Sequence, residues 1–163
     1  MIKFYTMGYG GKMPEDFIRL LKKYGIKSIV DVRSRPDKAT FGTYKKAKTT
    51  DKGIQKVLKE QEIQYFSLVE LGNIFMEDQN WEEEYKKLLK NSGDLLLRRF
   101  FQSILPQLQQ PFCLFCAEND HLNCHRKFLA DFIISKKPEL LVEHIVWSHY
   151  NNEDLEVFYE KNN

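Results

Sequence analysis

Thiols, arginines and acids stand together in this chain at positions where they could do chemistry. Cys116, Glu118, Cys124, His125 and Arg126 share one short stretch. A thiol near an arginine and a helix N-terminus has a lowered pKa, so Cys116 or Cys124 could act as a nucleophile while Glu118 or His125 handles protons. The same residues allow a metal reading, since zinc accepts thiolate, imidazole and carboxylate ligands together. Two features count against it. The spacing is not that of a zinc finger, and Cys124 and His125, adjacent on one helix turn, are expected to point in different directions. No metal ligands are therefore assigned, and the cofactor is left unknown. Cys113 and Cys116 have the C-x-x-C spacing of redox motifs. Inside a strand, however, side chains three apart face opposite sides, so they suit neither a redox pair nor a shared ion, and Cys113 reads as core. No Cys-x5-Arg phosphatase loop is present: the position where its arginine would follow Cys116 holds Leu122.

Arg33, Arg35 and Arg126 have the forked donors that grip phosphate or carboxylate, and Gly10 and Gly11 would let backbone approach such a ligand. Glu70, Glu118 and Asp120 could act as general acid or base if partly desolvated. Each has a plainer reading as well. The glycines suit turns, the arginines a solvated surface, the cysteines a core, and Asp120 and Glu118 loop order or ion pairing. His121, His144 and His149 show no ligand spacing and read as structural or exposed.

These residues fall at the ends of predicted strands. Ile2 to Tyr9 is rich in β-branched and aromatic residues and runs into Gly8-Tyr9-Gly10-Gly11. Pro14 then suits a first helical turn; Phe17, Leu20, Leu21 and Tyr24 recur at helical spacing, and Gly25 ends the helix. Ser28 to Arg33 reads as a buried second strand. Asp51 is expected to cap a helix carrying Ile54, Val57 and Leu58, before a third strand at Ile63 to Leu68 that ends near Glu70-Leu71-Gly72. Trp81, Tyr85, Leu88 and Leu89 mark a helix face, and Asp94 is expected to cap another helix reaching Ile104 and stopping at Pro106. Phe112 to Cys116 is an almost wholly apolar central strand, Phe128 to Ile133 a helix face, Val142 to Trp147 a last strand, and Glu153 to Tyr159 a helical tail. Alternation of this kind predicts an α/β fold: a mostly parallel sheet of about five strands flanked by helices, three-layer α/β/α and Rossmann-like. Ligands bind outside the carboxyl ends of such strands, which is where the clusters around Tyr9, Arg33, Glu70 and Cys116 fall.

A chain of 163 residues is expected to form one domain, and its composition excludes wholesale disorder. No apolar run approaches the roughly 20 residues that span a bilayer, so no membrane is expected. An odd number of cysteines and the absence of a signal-like leader predict a reducing cytoplasm. The net charge of +2 excludes a strongly basic or acidic protein, yet residues 33 to 52 carry seven basic side chains against two acidic ones. Interleaved with Phe41 and Tyr44, this basic loop could hold a nucleic acid through phosphate contacts and stacking; the plain alternative is a solvated loop.

Thr6-Met7-Gly8-Tyr9-Gly10, Val30-Asp31-Val32-Arg33-Ser34-Arg35-Pro36, Glu70-Leu71-Gly72, Cys116-Ala117-Glu118 and Cys124-His125-Arg126, in this order, resemble the domain-of-unknown-function 488 family over roughly residues 6 to 147. The resemblance implies an α/β fold of bacterial or archaeal type and a pocket lined by Tyr9, Gly10, Asp31, Arg33, Arg35, Pro36, Glu70, Gly72, Cys116, Glu118, Cys124, His125 and Arg126, with no established reaction. Asn73 stands where the family commonly has a second glycine, and Asp37 where a small polar residue is usual, which bears on the width of the pocket. Three functions follow as expectations. The first is an enzyme acting on a phosphorylated small molecule or nucleotide, with Glu118, Cys116 and Cys124 as catalytic candidates. Its ligand would be held by Tyr9, Gly10, Gly11, Arg33, Arg35, Glu70, His125 and Arg126. The second is a domain that binds or processes nucleic acid, and the third a non-enzymatic anion sensor or adaptor.

Overall fold

Every strand of this fold is placed by a short run of β-branched and aromatic residues, and the longest apolar run becomes the middle of the sheet. The computed structural model describes residues 1–147; the helix expected over Glu153 to Tyr159, and His149, lie outside the described residues. The strands β1 (Ile2–Gly8), β2 (Ser28–Asp31), β3 (Gln64–Ser67), β4 (Phe112–Cys116) and β5 (Leu140–Ile145) pair all-parallel in the order β3-β2-β4-β1-β5. Helices α1 (Pro14–Lys23) and α2 (Gly53–Glu60) cover one face, and α3 (Trp81–Leu96) and α4 (Arg126–Lys136) the other. The parallel three-layer α/β/α arrangement expected from the alternation is present.

Strand β4 is buried along its whole length because it is covered on both faces. Phe112, Leu114 and Cys116 pack toward α3 and α4, whereas Cys113 and Phe115 pack toward α1 and α2. Cys113 and Cys116 thus face opposite sides, as the two-residue period of a strand requires. Helix α1 begins at Pro14 and is followed by Gly25 at φ +63°, a left-handed conformation that costs glycine little.

Two helix boundaries differ from expectation. Lys52, not Asp51, precedes the first turn of α2, and no side chain caps it; the adjoining Gly53 lies at φ +62°, packed so tightly against the Lys45 carbonyl that a Cβ would fall 2.1 Å from that oxygen. Asp94 does not begin a new helix: α3 runs through it to Leu96, and its carboxylate pairs with Lys136 at 2.9 Å. Gly93, just before Asp94, serves packing. A Cβ there would lie 2.5 Å from the Phe132 ring, so glycine lets α3 approach α4. The chain then passes through a π-helical turn at Phe100–Ile104 and a 3-10 turn at Leu105–Gln107.

The order of the strands creates a crevice. The connections after β1 and β2 lead to α1 and α2 on one face, while that after β4, which lies between them, leads to α4 on the other. Adjacent loops that leave in opposite directions open a cleft at the carboxyl ends of the strands. No helix among the described residues is long and apolar enough to cross a membrane.

Candidate functional site

Beyond the ends of β2 and β4 lies a cavity of about 580 Å³. Its buried lining includes Arg33, Cys116, Cys124 and His125; Tyr9 and Trp81 are half-buried in it, and Arg35, Lys38 and Glu118 are exposed at its rim.

Arg33 is held by its neighbour in the strand. Asp31, wholly buried at the end of β2, accepts from Arg33 Nε at 2.9 Å, from Nη2 at 2.6 Å and from the Arg33 backbone N–H at 3.1 Å. Tyr65 donates its hydroxyl to the same carboxylate at 2.5 Å. The guanidinium lies over the rings of Phe115 and Tyr9, with centroid distances of 4.9 and 5.4 Å. Burial works against the charged form of Arg33, but the hydrogen bonds and charge of Asp31 outweigh it and hold its pKa above the usual value. One nitrogen is left over. Arg33 Nη1 is buried and has no hydrogen-bond partner among the described residues.

Arg126 belongs elsewhere. It is 0% exposed and does not line the cavity. Its Nη1 donates to the Glu118 carbonyl, Nη2 to the Asn119 carbonyl at 2.8 Å and Nε to the Thr6 hydroxyl at 3.3 Å. Expected from the sequence to grip an anion, Arg126 instead directs one donor from each of its nitrogens to the loop after β4 and to Thr6 of β1. Glu70 also lies outside the cavity and pairs with Arg99 at 3.5 Å. Gly10 and Gly11 do not line it either. Gly10 donates to the Ala117 carbonyl at 2.7 Å, and a Cβ there would come within 2.9 Å of that oxygen. Its missing side chain lets two loops of the protein pack together. Gly11, at φ +71°, forms the exposed turn into α1. Asp120 orders its loop by accepting from Leu122 N at 2.9 Å.

Cys116, Cys124 and His125 converge. His125 Nδ1 lies 3.6 Å from Cys124 Sγ and 3.9 Å from Cys116 Sγ, and the three potential ligand atoms fall within 4.8 Å of one another. The expectation that Cys124 and His125 point apart fails because the backbone changes conformation between them. Cys124 is extended (φ −137°, ψ 139°) and His125 helical (φ −59°, ψ −22°), which turns both side chains to one place. The Glu118 carboxylate is not part of the group. A hydrogen bond from Cys124 holds the Cys116 thiol below the usual range despite its burial, and the same bond with burial pushes Cys124 up.

The basic stretch is folded onto the body of the protein. Lys46 N–H donates to the Pro36 carbonyl at 2.7 Å, and buried Tyr44 donates its hydroxyl to the Lys12 carbonyl at 2.9 Å. Tyr44 is thus spent on packing and is closed to base stacking, while Phe41 remains 42% exposed. Arg35 pairs at the surface with Asp37 at 3.4 Å, and buried Asn73 accepts from Phe75 N at 2.9 Å. His144 stacks on His121 at 4.2 Å and shares a hydrogen bond with Thr6, a structural arrangement in line with their lack of ligand spacing.

Lys12 was not singled out from the sequence, yet it supports the same loops. It is 1% exposed, and its ammonium donates to the Gly8 carbonyl at 2.6 Å and to Asn119 Oδ1 at 2.8 Å. Burial, and after it the charge of Arg126, lowers its pKa to about 7. The unfolded chain keeps this proton to about pH 10.4, so between the two values it binds more protons than the folded state and stability rises with pH. Lys12 should therefore contribute stability that grows from about pH 7 upward. It is read as the difference between wild type and a variant lacking Lys12, because the buried thiols Cys113 and Cys124, held above their usual range, act in the opposite sense above about pH 8.5. A Lys12→Met variant should lack that slope in thermal unfolding at constant ionic strength; parallel profiles for the two proteins would contradict the assignment.

The family model described as "Domain of unknown function DUF488" matches residues 13–133. No curated protein and no solved structure matches the chain.

Proposed function

Because the chain belongs to the DUF488 family, whose description names no reaction, we propose from the cleft itself that it binds an anionic small molecule, as an enzyme acting on a phosphorylated metabolite or nucleotide. The observation that carries this reading is Arg33, which lines the cavity and whose buried Nη1 has no hydrogen-bond partner among the described residues. A buried guanidinium N–H without an acceptor is costly, and a phosphate or carboxylate oxygen would satisfy it through a charge-assisted hydrogen bond. Asp31 holds the guanidinium at fixed orientation, so little side-chain entropy is lost on binding. Arg35 and Lys38 at the rim add positive charge, and the rings of Tyr9 and Trp81 offer apolar surface to the rest of a ligand. Glu118, which with Glu77 brings a carboxylate to the cavity, would exchange protons with it. The burial of Tyr44 favours this reading over single-strand nucleic-acid binding, which relies on stacking platforms.

Thermal-shift titration with inorganic phosphate, mononucleotides and short single-stranded oligonucleotides tests it. A ligand at about 100 times its Kd adds about 2.7 kcal/mol, roughly 5–10 °C for a chain of this size. Arg33→Lys should weaken binding at least about tenfold by removing the forked donor, and Arg35→Ala roughly threefold to tenfold. Glu118→Gln should abolish turnover and leave binding intact if the cleft is catalytic; a sensor would have no turnover to lose. If no anion raises the melting temperature, the reading fails.

A further inference from the structure

We propose that Cys116, Cys124 and His125 form a binding site for one zinc-type divalent cation, with its remaining coordination position open to the cavity. The inference goes beyond the anion reading and does not rest on it.

Three independent observations lead to the site. The first is distance. Ligands at about 2.3 Å for sulfur and about 2.0–2.1 Å for nitrogen in a tetrahedral zinc site lie roughly 3.5 Å from each other. His125 Nδ1 stands 3.6 and 3.9 Å from the two sulfurs. The second is the state of the imidazole. His125 Nε2 lies 2.9 Å from the Val32 carbonyl oxygen, which can only accept. Nε2 therefore carries a hydrogen, and in the neutral ring Nδ1 turns an unshared pair toward the sulfurs. A carbonyl that fixes the second nitrogen of a metal-binding histidine is the usual outer partner of such a ligand. Tyr85 holds the ring edge-on at 5.1 Å, so the donor is already oriented.

The third is enclosure together with access. All three residues are buried, yet all three line the cavity. Three protein donors with a fourth position facing a cavity is the pattern of a catalytic rather than a structural zinc site. Charge balance selects the ion. Two thiolates cancel a divalent cation, so the occupied site buries no net charge, and soft sulfur donors favour zinc over magnesium or calcium.

The test uses the full chain, reduced and stripped of metal, titrated with cobalt(II) as a spectroscopic substitute and then with zinc. The expected result is one cobalt per chain, with thiolate-to-cobalt charge-transfer and tetrahedral d–d bands that zinc abolishes. Cys116→Ser and Cys124→Ser should lose these bands, whereas Cys113→Ala, on the other face of the sheet, should keep them. Circular dichroism establishes that each variant is folded. Alkylation of the wild type needs no variant: zinc should slow modification of Cys116 and Cys124 at least tenfold. Absence of cobalt uptake by the reduced wild type overturns the proposal. So does uptake that persists undiminished in a folded Cys116→Ser/Cys124→Ser protein, or a Cys116–Cys124 disulfide whose reduction restores thiols but no metal binding.

Discussion

Replacing Arg126 with alanine should destabilise the protein by about 3–5 kcal/mol, enough to remove much of the stability of an ordinary domain. The reason is local. The guanidinium is 0% exposed and donates to two consecutive loop carbonyls, of Glu118 and Asn119, and to the Thr6 hydroxyl in β1. The two carbonyls are part-buried, so losing the donor costs toward the lower end of about 1–3 kcal/mol each, and the space vacated by so large a buried side chain adds to that. Arg126→Lys keeps the charge and part of the volume but cannot serve three acceptors in a plane, so it should recover less than half of the loss. Urea unfolding followed by circular dichroism measures both. A change of less than about 1 kcal/mol in Arg126→Ala would mean that the loop finds other donors and that Arg126 is not its anchor.

The second large effect concerns the ion pair beneath the cavity. Asp31→Ala leaves Arg33, 4% exposed, as an uncompensated buried cation, and should cost about 3–5 kcal/mol. Arg33→Met leaves the Asp31 carboxylate with only the Tyr65 hydroxyl and the backbone N–H of residue 33, and should cost a similar amount. The double variant Asp31→Leu/Arg33→Met removes both charges and fills the space with apolar atoms, so it should lose less than either single variant. That non-additivity distinguishes a desolvated pair from two separately useful residues. The double variant also separates the roles of the arginine: it should fold and yet give no thermal shift with phosphate. Additive losses in the cycle would contradict the coupling, and an undiminished phosphate shift would remove Arg33 from the proposed binding role.

Lys12 and Gly93 show why part of the structure escaped a reading of the sequence. A lysine in a glycine-rich turn reads as solvated, because nothing local reveals that the carbonyl of Gly8 and the side chain of Asn119 will close over it. Asp94 was expected to cap a new helix because nothing local shows that Gly93 beside it lies within one, its constraint, the Phe132 ring, arriving from a distant helix. The partners of Arg126 were hidden for a related reason. A helix N-terminus does favour an anion, but a preceding loop can fold back and offer its own carbonyls first.

The sequence by itself determined what depends on neighbours along the chain. Two-residue and 3.6-residue hydrophobic periods specified which segments become strands and helices, and alternation of the two specified a parallel sheet with the motif-bearing loops at one edge. The opposed facing of Cys113 and Cys116 followed from the pleat alone. Only the tertiary structure decided which polar groups share a partner. It paired Arg33 with Asp31 and left one nitrogen over, gave Arg126 to the loop carbonyls and Glu70 to Arg99, and turned Cys124 and His125 to the same point as Cys116. Hydrogen bonds and ion pairs act over a few ångströms between residues far apart in the chain, so their pairing is set by packing, which local periodicity does not encode.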